Sequence, residues 1–232
     1  MQKALKVDQD DFFATGVSIV IHPNHPMVPI IHMNIRYFEM PSTMGEGKQP
    51  VRWFGGGIDV TPHYIIDEDA RFFHRYLKDT CDRFSADFYT RFKSWADDYF
   101  FIKHRNETRG IGGIFYDKLA ATDDMRWESV FEFSKAVGRS FVPIYTELVN
   151  RNRDKAFTAV EQQWLYQRRS RYAEFNLIYD AGTKFGLETN GRIESILMSL
   201  PPTAQWLYNY QPQPGSEEER TLNLLKKGVN WV

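Results

Sequence analysis

Alternation with period two dominates the first quarter of the chain, and spacing of three to four residues takes over in the middle. In Val17-Ser-Ile-Val-Ile-His22, one strand face holds Ser18, Val20 and His22, and the other holds Val17, Ile19 and Ile21. In Ile31-His-Met-Asn-Ile-Arg-Tyr37, His32, Asn34 and Arg36 oppose Ile31, Met33, Ile35 and Tyr37. The proline-rich link His22 to Pro29 can reverse the chain between these runs, which predicts an antiparallel pair. Val51 to Val60 reads as a third strand. Helices are predicted at Asp67 to Phe84, with Phe73, Leu77, Cys81 and Phe84 on one stripe, and at Asp87 to His104, with Phe88, Phe92, Trp95 and Tyr99. Gly110 to Asp117 returns to strand.

Two further helices are read at Asp124 to Ser140 and Val142 to Asn152. Thr158-Ala-Val-Glu161 is a capping box opening a helix that runs to about Arg171. Three more strands are expected at Ala173 to Asp180, Lys184 to Glu188 and Arg192 to Leu200, turning at Gly182 and Asn190-Gly191. A short helix near Glu217 to Lys227 closes the chain. Strands and helices that cluster rather than alternate predict an α+β fold: one domain over residues 1–232, with a large, mainly antiparallel sheet flanked by helices on both sides.

Composition narrows the function. A net charge of -1 disfavours a sequence-independent nucleic-acid surface. No apolar run approaches the roughly 20 residues of a membrane span, and Met1 to Asp11, with three acidic residues, has no secretory core. The single cysteine, Cys81, allows neither an intrachain disulfide nor a cysteine-cluster metal site, and its place on an apolar stripe makes it a core thiol. With 18 Phe, 12 Tyr and 6 Trp, the aromatic content exceeds what a routine core requires.

Four features can carry chemistry. In Trp53-Phe-Gly-Gly-Gly-Ile-Asp-Val-Thr-Pro62, three glycines stand beside one acid, Asp59. That pattern fits either a close approach by a flat or bulky ligand or a tight turn whose Asp caps the next helix. The His32, Asn34 and Arg36 face suits carboxylate recognition, since Arg offers a bidentate fork; a solvated outer face is the alternative. Arg109-Gly-Ile-Gly-Gly-Ile-Phe-Tyr-Asp117 lacks both dinucleotide and P-loop spacing. It reads as a second place where backbone lies close to a ligand, with Arg109 at its edge, or as a plain helix-to-strand turn. All six histidines precede Asn106, in no compact metal motif. Arg168-Arg-Ser-Arg171 is a solvated helix end or a site for an anionic partner.

Several segments together resemble one family, the oxygen-dependent coproporphyrinogen III oxidases. They are Gly16-Val-Ser18 with Val20-Ile-His-Pro23, His32-Met-Asn-Ile-Arg-Tyr-Phe-Glu39, and Trp53 to Pro62. Asp98 to Arg105 running into Arg109 to Asp117, Arg171-Tyr-Ala-Glu-Phe-Asn-Leu177, Gly182-Thr-Lys-Phe-Gly186 and Arg192 to Pro201 extend the match. The resemblance implies oxidative decarboxylation of two propionates of coproporphyrinogen III to vinyl groups in haem biosynthesis, giving protoporphyrinogen IX. It implies O2 as co-substrate and no organic cofactor. A tetrapyrrole-binding protein without turnover is the alternative.

The resemblance also implies a flat antiparallel sheet and a homodimer, with residues 172–207 contributing to dimerisation. Catalytic roles fall on Asp59 (pyrrole deprotonation), His32 (proton donor) and Arg109. Substrate contacts fall on Ser18, Asn34, Ile35, Arg36, Asn190, Gly191 and Arg192, with Arg36, Arg109 and Arg192 neutralising propionates. A divalent ion at His22, His32, His74 and His104 is known in some bacterial members and not in others. The family pattern begins some tens of residues further upstream; Ala181 stands where Arg is typical, and Asn190 where Gly is frequent. A cytoplasmic location is expected, or the mitochondrial intermembrane space if a targeting segment precedes.

Overall fold

A computed structural model describes residues 12–40, 50–123 and 125–232. The stretch Met1 to Asp11 and the expected helix start at Asp124 lie outside the described residues. The two alternating runs form β1 (Phe13–Ile21) and β2 (Ile30–Met40), and the glycine run lies within β3 (Val51–Thr61). β4 (Phe101–Ile102) and β5 (Glu107–Thr108) make a small antiparallel pair. β6 (Gly113–Leu119) completes the main sheet, whose order is β1-β2-β3-β6, antiparallel throughout. The architecture is α+β, as expected.

One face of the sheet is the core. Ile31, Met33, Ile58, Val60, Ile114 and Tyr116 pack against α1 (Asp67–Asp82), α2 (Phe88–Tyr99) and α3 (Trp127–Asn152). The α1 stripe is as predicted, with Phe73, Leu77 and Cys81 fully buried. In α2 the stripe divides. Phe88 and Phe92 enter this core, whereas Trp95 and Tyr99 reach round edge strand β6 to Phe115 on the other face, at 5.4 and 4.2 Å between ring centroids. A helix laid along β6 covers backbone groups that a free edge would expose.

The helices expected around Ser140 are one. α3 passes through Pro143, whose missing N–H removes a single rung, while buried Phe141, Ile144 and Leu148 hold the flanking turns on the sheet. The capping box of α4 (Ala159–Ile178) is present in both directions: Val160 N–H donates to Thr158 Oγ1, and Thr158 N–H to Glu161. α4 does not stop near Arg171. The strands expected at Ala173 to Asp180, Lys184 to Glu188 and Arg192 to Leu200 are the end of α4, α5 (Ala181–Glu188) and α6 (Ile193–Leu197).

The reason is the spacing. Tyr172, Phe175, Asn176 and Tyr179 recur at three and four, so a helix buries them together, and Asp180 then caps α5 by accepting from Thr183 N–H at 2.7 Å. Gly182 lies inside α5, and Asn190 (φ 55°) turns the chain between two helices rather than two strands. α7 (Glu217–Leu224), capped by Ser216, is the expected C-terminal helix. The ends of α4, α5 and α6 lie over the second face of the sheet and enclose a cavity there.

Candidate active site

Register places the polar positions of successive strands in rows across the second face. Val20, His32, Asp59 and Gly113 form one row; Ser18, Asn34, Gly57 and Phe115 form the next; Gly16, Arg36 and Gly55 begin a third. Parity alone brings His32 opposite Asp59, although 27 residues separate them. His32 Nδ1 lies 2.8 Å from Asp59 Oδ1, and Arg109 Nη2 donates to Asp59 Oδ2 at 2.6 Å. Asp59 and Arg109 are buried. Burial raises the Asp59 carboxyl, but the Arg109 charge and the His32 hydrogen bond outweigh it, and its pKa lies below the ordinary value.

Arg109 is enclosed by Phe100, Tyr172 and Phe175, whose ring centroids are 4.3, 4.5 and 4.7 Å from its guanidinium carbon. Its Nη1 donates to Asn176 Oδ1 at 3.1 Å. Burial opposes the charge, but Asp59 reverses that, so the Arg109 pKa is raised. An ionised carboxylate only accepts, which puts the proton of neutral His32 on Nδ1 and leaves Nε2 as the acceptor. The result is a buried ion pair with an imidazole in front of it, at the wall of a cavity of about 300 Å³.

His32, Asn34, Arg36, Ser18 and Gly57 floor that cavity, Tyr99, Phe115 and Tyr172 form an aromatic wall, and Gly182, Thr183, Ser195, Ile196 and Ser199 roof it. Asp59 does not line the cavity; it stands behind His32 and Arg109. The glycines act in two ways. A Cβ on Gly57 would sit 2.5 Å from Ile114 O, so the glycine allows the strands to close. A Cβ on Gly55 would meet Asp117 Oδ1 at 2.7 Å and Arg36 Nε at 2.8 Å. Gly55 therefore makes room for an ion pair: Arg36 Nη2 donates to Asp117 Oδ1 at 2.8 Å, and Nη1 donates to Asn34 Oδ1 at 3.0 Å.

The family model of coproporphyrinogen III oxidase matches residues 1–231. The chain belongs to the coproporphyrinogen III oxidase family. It is 51% identical over 222 residues to the oxygen-dependent coproporphyrinogen-III oxidase of Drosophila melanogaster, covering 95% of this chain and 55% of that one. It is 52% identical to the mitochondrial enzyme of Homo sapiens, covering 95% and 48%, and 47% identical to the chloroplastic enzyme of Hordeum vulgare, covering 95% and 56%. The chain thus spans about half the length of the curated relatives it matches. The names of the Hordeum vulgare and Homo sapiens relatives place those two in chloroplasts and mitochondria. Among the described residues, no helix is long and apolar enough to cross a membrane.

Other residues implied by the family resemblance fall in different places. Ile35 points its side chain to the core face, near Gly138. Asn190, Gly191 and Arg192 lie outside the cavity lining, with Arg192 exposed and 3.9 Å from Glu194. Ala181 is exposed at the start of α5, its N–H donating to Tyr99 Oη at 3.3 Å.

The four histidines considered for a metal do not converge. His22 Nε2 donates to Ser199 O at 2.9 Å. His74 is buried in the core, with Tyr89 Oη at 3.0 Å and Ile111 O at 2.9 Å. His104 pairs with Glu174 and Tyr179. Among the described residues, no three His, Cys, Asp or Glu side chains are arranged to hold a metal, so this set does not fit a divalent ion.

Residues that sequence reasoning missed are Tyr172, Asn176, Asp180 and Ser199. Asn176, Asp180 and Ser199 lie in segments read as strands and Tyr172 just before the first of them, and the helical spacing of Tyr172, Asn176 and Asp180 was the available signal.

Proposed function

We propose that this chain carries out the oxidative decarboxylation of coproporphyrinogen III to protoporphyrinogen IX, with O2 as acceptor. The observation that carries the reading is the buried Asp59–Arg109 pair directly behind His32, at a cavity whose other walls are aromatic. Aromatic walls suit the pyrrole rings of the macrocycle, and the polar floor and roof suit its propionates. For each propionate, a hydride equivalent passes to O2 from the methylene attached to the pyrrole, and CO2 leaves the next carbon, the electrons of the broken C–CO2 bond forming the double bond. With one proton from water, O2 becomes hydrogen peroxide and a vinyl group remains. The substrate supplies both electrons.

His32 Nε2 is the atom assigned to take the pyrrole N–H proton, and it returns that proton when the ring nitrogen is reprotonated. Asp59 acts through His32: it fixes the tautomer and stabilises the imidazolium. Arg109 places a fixed positive charge beside the electron-rich ring anion in a site shielded from water. Arg36 already has Asn34 and Asp117 as partners and meets a propionate with its remaining donors; Ser18 and Thr183 add hydroxyls. Arg192, exposed and outside the lining, is not assigned a propionate.

We also propose a homodimer through residues 172–207, where Leu177, Ile178, Phe185, Ile193, Met198 and Trp206 leave apolar surface exposed. Sedimentation at increasing concentration tests it, and a monomer throughout rejects it. For the reaction, the chain is mixed anaerobically with coproporphyrinogen III and then given oxygen. One CO2 and one peroxide per vinyl group formed are expected. Tight binding without any vinyl product would leave a tetrapyrrole-binding protein.

A further inference from the structure

The roof of the cavity is lightly anchored. Thr183 is the sole buried residue of α5, and α6 has none. Yet the roof end is tied to the catalytic pair through one side chain. Asn176, buried on α4, accepts from Arg109 Nη1 at 3.1 Å and donates through Nδ2 to Ser199 Oγ at 3.3 Å. Arg has only donors, so Oδ1 must face Arg109 and Nδ2 must face Ser199. Ser199 Oγ donates to Ile196 O at 3.1 Å, and Ser199 O accepts from His22 Nε2. A continuous chain of hydrogen bonds therefore runs from the roof through Ser199, Asn176, Arg109 and Asp59 to His32.

We propose that Asn176 is a positioning residue that couples the seating of the roof (residues 181–200) to the orientation of Arg109 and, through Asp59, of His32. The catalytic half of this statement rests on the oxidase reading above. Only a neutral two-ended side chain can satisfy both neighbours. A carboxylate cannot donate to Ser199 without a proton, and it would compete with Asp59 for Arg109. Leu has nearly the shape of Asn and neither function.

The test compares the wild-type chain with N176L, S199A, S199T and the double variant N176L/S199A. In substrate-free protein, amide hydrogen exchange over 181–200 should quicken about threefold to tenfold in N176L and S199A, the effect of one neutral hydrogen bond. Exchange over Trp127–Asn152 should not change, and S199T, which keeps the hydroxyl, should resemble wild type. In turnover, N176L should lose about tenfold in kcat with KM within about twofold. The double variant should be no worse than N176L, because both substitutions break the same link. Unchanged roof exchange in N176L and S199A, or losses in kcat that multiply in the double variant, would overturn the proposal. If wild type gives no vinyl product, the oxidase reading falls, and the exchange measurement alone decides whether Asn176 anchors the roof.

Discussion

The two faces of β2 and β3 carry alternate residues of the same strands in one register, yet they do opposite work. Facing α1 and α3, Ile31, Met33, Ile58 and Val60 interlock with aromatic side chains such as Phe73 and Phe133. Facing the cavity, His32, Asn34 and Arg36 use hydrogen bonds and charge, and lie against glycines or an acid on the neighbouring strand. One step along the strand separates a group that stabilises from a group that reacts. On these two strands Asp59 belongs to both regimes. It is as buried as a core residue and is an ionised member of the site.

Substitution can pull these regimes apart. Asp59→Ala should reduce kcat by at least about 10²-fold, because His32 loses the group that fixes its tautomer. It should also cost about 3–5 kcal/mol of stability, since Arg109 is left as an uncompensated buried charge. Phe133→Ala, in the ring cluster with Phe88 and Tyr116 at 4.9 and 5.1 Å, should cost a similar 3–5 kcal/mol in urea unfolding. Its KM and kcat, measured well below the unfolding midpoint, should stay within about twofold of wild type. Equal activity losses in the two variants would mean that the faces are not separable.

Acid should weaken the core side and its flanks before it touches the Asp59 carboxylate. Burial lowers His74 to about 3 and His22 to about 4, and burial with the Arg169 charge lowers His63 to about 3. The unfolded chain takes up protons near the ordinary histidine value of about 6.5. Stability from these neutral rings is therefore complete above about pH 6.5 and is lost as pH falls toward 3–4. Asp59, with a depressed pKa, adds stability above the ordinary carboxylate range and loses it only below that range. Unfolding free energy should decline steadily from pH 7 to 4.5, and His74→Gln should flatten part of the slope. A flat profile in wild type would show that the rings are not held neutral.

How much of this contrast the sequence disclosed depends on the kind of pattern involved. Period two identified both faces of β1 and β2, and it put His32, Asn34 and Arg36 together, because parity is a local property. The pairing of His32 with Asp59 needed the register between strands, which local alternation does not state. Arg109 was visible as a cation beside glycines, while its enclosure by Phe100, Tyr172 and Phe175 required the fold. The wall and roof were misread because Ala173 to Leu200 contains short apolar runs that satisfy both periods, and the tie from Asn176 to Ser199 is set by packing over the sheet. Family resemblance raised Asn190 to Arg192 as contacts, and the described structure leaves them outside the lining.

Smaller effects sharpen the cavity face itself. Gly55→Ala would drive a methyl group into the Arg36–Asp117 pair, whose side chains can yield because both are partly exposed. A half-exposed ion pair is worth about 1 kcal/mol or less, so KM should rise up to about fivefold with kcat little changed. A fall in kcat without a rise in KM would mean that Arg36 orients the reacting groups rather than holding substrate.

Arg192→Ala should do least. Its side chain is exposed at the start of α6, its only carboxylate neighbour among the described residues, Glu194, is 3.9 Å away, and screened pairs of this kind contribute little. Activity and stability should both remain within about twofold and 0.5 kcal/mol of wild type. A rise in KM of tenfold or more would require Arg192 to reach a propionate, with α6 swung inward so that its N-terminus faces the cavity. That displacement would pull on Ser199 and hence on Asn176, so the same variant would show altered exchange over 181–200. KM and exchange changing together would extend the site to Arg192, whereas neither changing leaves Arg192 outside it.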